Sequence, residues 1–502
     1  MYINNKLLIG KNNDKEVCLL PSMANRHGLI TGASGTGKTI TSKVMAESFS
    51  DLGVPVFMAD VKGDLAGTAV IGEMNDNIAK RVTNLKLDNF EVKEFPVRFW
   101  DVYRVNGHPI RFKVSDVGVN VLSIMLGLSE AQEGVLNIVF KVSEDKSWDL
   151  DTLDDLKQAL NRVGEIRNEL TTTYGNVTTQ SVGVILRSLS VLENQGLSKF
   201  FGEPELNIQD LVSVDNNGKG IINILDAVEL YKNPDLYSAV MLCLLTRLYD
   251  SMPEVGDLDK PKIVFFFDEA YFLFREMPPY RLKQVEKIVR LIRSKGIGLY
   301  FISHYTTDIP DAILEQLGNR VQHNLRAYTP ADQKIAKAAA DSFRTNPNFK
   351  TYDTILELGT GEAIVSFQNE KGEPEVCERV FILPPQSKIG VIDDMTRNRI
   401  INQSPLAGKY DEDIDDRSAS EIINEVREKE ITEKEEINKQ KEEAKRLKEE
   451  EKAKALAEKE KNRQEREKKN TPQYKLGKKV VNKTTDKLLN RIINSILKGL
   501  FK

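Results

Sequence analysis

Residues Gly32–Thr39 read G-A-S-G-T-G-K-T, a complete G-x-x-x-x-G-K-[ST] loop. The apolar run Gly28, Leu29, Ile30 leads into it and a helical stretch follows, which is the strand–loop–helix setting the motif requires. In such a loop the glycines let successive backbone N–H groups turn inward around the α- and β-phosphates of a nucleotide. The following helix N-terminus adds its partial positive charge to the same anion. The expected nucleotide contacts are Gly32, Ala33, Ser34, Gly35, Thr36, Gly37, Lys38, Thr39 and Thr41. Lys38 is expected to reach the β/γ-phosphates and the Thr39 hydroxyl to join a Mg²⁺ shell. The stretch therefore predicts an α/β fold with a P-loop and a bound nucleoside triphosphate, expected to be ATP with Mg²⁺. No motif that reads the base stands out.

A second acidic element is expected downstream, on another strand, and Lys262–Ala270 reads K-I-V-F-F-F-D-E-A. An unbroken apolar run of this kind suits a strand buried on both faces. Asp268 at its carboxyl end is the expected Mg²⁺ partner of Thr39, and Glu269 is placed to polarise an attacking water as general base. Around these two motifs the chain alternates strand-like and helical runs, the pattern of a mainly parallel sheet. A helix is expected over 38–52 and strands over 55–60 and 221–226. A helix near 235–249, another over 280–294 and a strand over 298–304 follow. Ligands sit at strand carboxyl ends in such sheets, so Asp60, Asp268 and His304 share a rim with the loop. Residues 66–218 interrupt this core and are expected to form an inserted, partly helical subdomain.

Composition bounds the rest. The chain has 502 residues, 40% of them hydrophobic, enough for a real core and two to four domains. Cys18, Cys243 and Cys377 lie far apart with no C-x-x-C spacing, which argues against a metal site or disulfide framework and for a reducing cytoplasm. No apolar run approaches membrane-spanning length. Net charge is −4, so any nucleic-acid contact must come from a local basic surface.

Near residue 400 the composition shifts. After a linker at 396–410, residues 411–470 are mostly Glu, Lys, Arg, Ala and Gln and cannot bury a core. Their sparse apolar residues predict an exposed helix laced with Glu/Lys pairs, or disorder, more than a coiled coil. Residues 471–502 interleave basic positions from Lys475 to Lys502 with Leu488, Leu489, Ile492, Ile493, Ile496 and Leu497. At helical spacing these form a cationic amphipathic helix suited to an anionic membrane, nucleic acid or a protein surface.

M-A-N-R-H-G-L-I-T-G-A-S-G-T-G-K-T (23–39) and V-P-V-F-M-A-D-V-K-G-D-L (54–65), with F-F-F-D-E-A, R-S-K-G-I-G-L-Y-F-I-S-H and D-I-P-D-A-I-L-E-Q-L-G-N-R-V-Q-H-N-L-R-A-Y-T-P downstream, resemble the HerA-like ATPases, specifically the YjgR group. L-G-T-G-E-A-I-V-S-F from Leu358 belongs to the same resemblance, which covers residues 1–395. It implies a RecA-like core that assembles into a ring, a hexamer by expectation, and moves double-stranded DNA through a central pore. In such rings an arginine from the neighbouring subunit completes the site, and Arg320 in G-N-R-V holds that position here. Arg290, Arg293 and Arg326 are the alternatives. Where relatives carry a polar sensor, commonly Gln, this chain has His304. Only about thirty residues precede the loop, too few for the β-barrel by which HerA docks a nuclease.

The catalytic set expected from sequence is thus Lys38, Glu269, His304 and Arg320. Three functions remain open at this level: a DNA-translocating ATPase ring, a motor acting on protein or at a membrane, and a nucleotide-gated binding module.

Overall fold

A computed structural model describes all residues except 13–14, 276, 415–417, 474–475, 477–486, 489–490 and 492–502. Its strands are, in chain order, β1 (Tyr2–Ile3), β2 (Lys6–Asn12), β3 (Lys15–Leu19), β4 (Gly28–Thr31), β5 (Val56–Asp60), β6 (Val97–Asp101), β7 (His108–Pro109), β8 (Ile222–Asp226), β9 (Ile263–Phe267), β10 (Ile297–Ser303), β11 (Asn319–Gln322), β12 (Glu362–Ser366) and β13 (Glu378–Ile382). All belong to one sheet, ordered β1-β2-β13-β12-β11-β4-β10-β9-β5-β8-β6-β7, with β3 paired to β2. From β11 to β7 every neighbouring pair is parallel. From β12 outward the pairing is antiparallel. The architecture is the mainly parallel α/β fold expected from the motifs.

Period-two packing explains why the central strands read as unbroken apolar runs. Phe265 and Phe267 of β9 face one core, with the helix Pro234–Ser251 and the helices of residues 114–211. Val264 and Phe266 face the other core, with Val44, Met45 and Phe49 of the loop's own helix, Lys38–Asp51. A strand covered on both faces has no polar side to show. The helix Lys38–Asp51 and the intervening strands start and stop within a residue or two of their expected bounds, while Pro279–Leu291 ends three residues early and gives way to a 3-10 turn at Ile292–Lys295.

Two expectations need correcting. Within 66–218, residues 97–101 and 108–109 are strands of the main sheet, and the helices from Val114 to Leu211 pack into the same core as Phe265 and Phe267. Arg98 and Trp100 disguised the first of these strands as a mixed segment. The stretch 396–410 is not a free linker: Asp394–Gln403 is a helix, and Leu406 and Tyr410 are buried. The Tyr410 hydroxyl pairs with Asp210 and accepts the Asn207 N–H at 3.1 Å.

Contacts divide the chain into Met1–Ile423 and Asn424–Lys502. The second unit is dominated by the helix that runs to Asn470, in which Leu447 and Leu456 are exposed and Arg463 pairs with Glu467 at 3.2 Å. The basic amphipathic segment expected at 471–502 lies almost wholly outside the described residues. Among the described residues no helix is long and apolar enough to cross a membrane, and no cluster of His, Cys, Asp or Glu could hold a metal on its own.

Candidate nucleotide site

The loop Gly32–Gly37 connects β4 to the helix Lys38–Asp51. Its entry is tied to both flanking strands: Gly32 N–H donates to His304 O (3.2 Å) after β10, and Ala33 N–H to Asn324 O (2.9 Å) after β11. Gly32 has φ +153°, and a Cβ there would lie 2.5 Å from the His323 Cβ. Gly37 has φ +121° and would meet His323 and Gly361. Only glycine fits either place. Gly37 also starts the helix with no side-chain cap, so the first-turn N–H groups stay available to an anion. Ser34 and Gly35 are exposed at the loop crest. Lys38 Nζ donates to Gly32 O (2.6 Å) and Ala33 O (3.3 Å), which folds its ammonium across the loop. Burial lowers its pKa.

Thr39 sits in the helix's first turn, half-buried. Thr41 is a correction. It is 0% exposed and its hydroxyl lies 2.8 Å from His323 Nε2, which already engages it. His323 Nδ1 is 2.8 Å from Glu362 O, and a carbonyl can only accept, so Nδ1 carries the proton and Nε2 accepts from Thr41. Burial, with the nearby Lys38 charge, holds this imidazole down at about 4, neutral.

The acidic strand lies two places from β4, with β10 between. Asp268 and Glu269 follow β9 and His304 follows β10, so all three reach the rim that holds the loop. Glu269 is 6% exposed and has φ +48°, a conformation sparsely used outside glycine. Its Oε2 lies 3.3 Å from His304 Nε2. Burial pushes Glu269 up, but the His304 hydrogen bond and the charges of His304, Lys38 and Lys62 outweigh it, and the net shift is downward. Asp268 moves the other way, to about 7, through burial and then the Glu269 charge beside it. A cation next to both would reverse that cost, which fits a carboxylate meant for a metal. Glu269 N–H donates to Asp268 Oδ1 (2.9 Å), and the Tyr237 hydroxyl donates to Asp268 O (2.7 Å), fixing the turn.

Asp60 is 3% exposed and accepts the N–H groups of Leu65 (3.0 Å) and Lys62 (3.4 Å), so it shapes the turn after β5. Lys62 on that turn is exposed. Arg320 is a second correction. Its Nε, Nη1 and Nη2 donate to Leu317 O (3.1 Å), Ser342 O (3.2 Å) and Leu314 O (3.1 Å). Leu314 ends one helix and Ser342 caps another, so the guanidinium ties down helix-end carbonyls within its own subunit. Arg293 pairs with Asp257 at 3.2 Å, while Arg290 and Arg326 are exposed.

The sequence reading missed the loop's support. Thr31 donates to Gln322 Oε1 (2.6 Å), Gln322 Nε2 to His323 O (2.8 Å), and Gly361 N–H to Thr36 O (3.0 Å). The available signal was a polar Q-H-N run inside a segment flanked by apolar residues, at Gln322–Asn324.

The family model for the "Helicase HerA-like C-terminal" matches residues 5–502. Similar proteins include the DNA double-strand break repair helicase HerA of Sulfurisphaera tokodaii, 19% identical over 73% of this chain and 67% of that one. The HerA of Saccharolobus solfataricus is 23% identical over 71% of this chain and 64% of its own. The chain thus spans about two thirds of these relatives' length. In fold it is similar to the bacterial conjugative coupling protein TrwBdeltaN70, with a TM-score of 0.50, 13% identity, and coverage of 75% of this chain and 90% of that one. With a P-loop and the ends of β9 and β10 on one rim, and a family match across nearly its whole length, the chain belongs to the HerA-like family of P-loop proteins.

Proposed function

We propose that this chain is an ATP-hydrolysing motor that works as a ring on double-stranded DNA. The observation that carries the hydrolytic part is Glu269, buried, ionised and held 3.3 Å from His304 on the rim of the phosphate loop. Loop N–H groups from Ser34 to Lys38 and the Lys38 ammonium would bind the phosphates. Thr39 and Asp268 would hold Mg²⁺, whose contribution is to neutralise charge building on the transferring phosphoryl group. Glu269 would take a proton from the attacking water, with His304 orienting its carboxylate. The neighbour-supplied arginine passes from Arg320 to the exposed Arg326 or Arg290. The DNA part is supported by family membership and by the names of the relatives.

ATP turnover of the purified chain, with and without linear duplex DNA at low and moderate salt, tests both parts. Stimulation that falls with salt and vanishes in Glu269→Gln is expected. Turnover that ignores DNA would remove DNA as the track, and no turnover in any condition would remove the motor.

A further inference from the structure

The acid pair at the end of β9 has a strand on each side, and a cation comes to it from each. From the side of β10 and the loop comes Lys38. From the other side comes Lys62, in the D-V-K-G-D turn (60–64) that follows β5. β5 pairs with β9 in parallel, Val56 with Val264 through Met58 with Phe266. Carried to the strand ends, this register sets Asp60 level with Asp268, and Lys62 stands two residues further out on the same rim. We propose that the Lys62 ammonium is a second phosphate ligand of the site, touching the γ-phosphate of the bound nucleotide from the side opposite Lys38, which rests on the nucleotide reading above.

The turn that carries Lys62 is held from within and from beside. Asp60, 3% exposed, accepts the N–H groups of Lys62 and Leu65, and its own carbonyl accepts the Ala227 N–H at 3.0 Å. Gly63 makes the bend at φ +77°. The two outer charges of the turn then act in different directions. Asp64 acts on Asp60 and Lys43, both buried. Lys62 acts on the centre: its charge adds to the burial that lowers Lys38, opposes the burial that raises Asp268, and joins His304 in holding Glu269 down against burial. Lys62 is itself exposed, and among the described residues nothing accepts a hydrogen bond from its ammonium. An ammonium is a compact point charge with three donors, suited to a single phosphate oxygen. Arg320 is tied to carbonyls of its own subunit, so within this chain the charge on the γ-phosphate is met by Lys38 and Lys62. A cation fixed there beforehand stabilises charge building on the phosphoryl oxygens without reorganising.

Calorimetric titration with ADP and with a non-hydrolysable ATP analogue, each with Mg²⁺, isolates the γ-phosphate, and single-turnover hydrolysis reads the rate. Lys62→Ala should weaken the analogue about tenfold and leave ADP within about twofold of its normal affinity. Turnover should fall about a hundredfold. Lys62→Arg, which keeps the charge, should recover most of both. Because the side chain is exposed, both variants should melt with the unaltered chain. Equal weakening of ADP and the analogue would overturn the assignment, since Lys62 would then act on the loop or the inner phosphates. So would unchanged affinities with full turnover, or with only the pH profile of turnover displaced, which would make Lys62 a screening charge for Glu269. Failure of the unaltered chain to bind either nucleotide would overturn the nucleotide reading with it.

Discussion

The two strands that flank β4 are built on opposite rules. On one side β10 is apolar along its length: Tyr300 stacks on Phe266 with centroids 5.2 Å apart and Phe301 on Phe267 at 5.3 Å, and polarity appears only at its tip, with Ser303 and His304. On the other side β11 carries Asn319 and Gln322, each 1% exposed, and runs into His323, which is fully buried. None of these is idle. Asn319 Nδ2 donates to Met23 O (2.9 Å) and His27 O (3.0 Å), and His323 bridges Thr41 and Glu362. The apolar flank presents chemistry at its end, whereas the polar flank fixes the backbone from behind. Substitutions on the first should change rate, and those on the second should change stability.

The largest effects belong to the rim served by β10. Glu269→Gln should lower ATP turnover by about 10²–10⁴ while leaving the melting temperature and ADP affinity in place. Lys38→Ala should weaken ADP about a hundredfold, since it removes a charge-assisted contact to phosphate. Single-turnover kinetics and calorimetry read the two separately. If Glu269→Gln instead melted early, the division between flanks would fail at its clearest point.

Next comes His323→Ala, which should leave the Thr41 hydroxyl and the Glu362 carbonyl buried and unpaired. Each orphan costs about 1–3 kcal/mol, so the urea midpoint should fall by an amount equal to about 2–5 kcal/mol. Nucleotide affinity would drop only as the loop loosens. A variant that kept full stability but lost turnover would move His323 from support to chemistry.

This contrast also marks how far the sequence could be read. Strands with apolar interiors and a polar tip announce their burial, so the positions of the loop, Asp268, Glu269 and His304 on one rim are legible in the sequence. A buried polar strand does not. Arg320 looked like an exposed catalytic cation because nothing local shows that carbonyls from Leu314, Leu317 and Ser342 converge on it. Thr41 fell to the same difficulty, since its partner His323 lies 282 positions away. Residues 97–101 were absorbed into the insertion because pairing with β8 is a long-range fact. Local patterning reports burial by apolar neighbours, and it is silent on burial by hydrogen bonds.

Arg320→Ala turns that point into a measurement of intermediate size. Three carbonyls, two of them at helix ends, lose their half-buried donor, for about 1–3 kcal/mol. Stability should fall while turnover per folded molecule holds. Unchanged melting with turnover lost would restore Arg320 as the arginine offered to a neighbouring site.

The smallest effect compares the flanks directly, because each holds one buried neutral histidine. His27 Nδ1 accepts the Leu299 N–H of β10 at 3.0 Å and its Nε2 donates to Val289 O at 2.9 Å. His323 is its counterpart beside β11. Burial holds both at about 4, below the ordinary 6.5. Below pH 6.5 the unfolded chain takes up protons that the native state refuses, so stability present above that pH is lost as pH falls toward 4. Over the whole window the loss is on the order of 3 kcal/mol per histidine; between pH 7 and pH 6 it is about 1.4 kcal/mol for the pair. His27→Asn and His323→Asn should each remove about half of that slope in urea titrations. Equal halves would mean that both flanks exclude protons equally well, despite one being apolar and the other hydrogen-bonded. A slope carried by His27 alone would mean that the polar network behind the loop can take up a proton, and the stability of the loop's support would then be independent of pH.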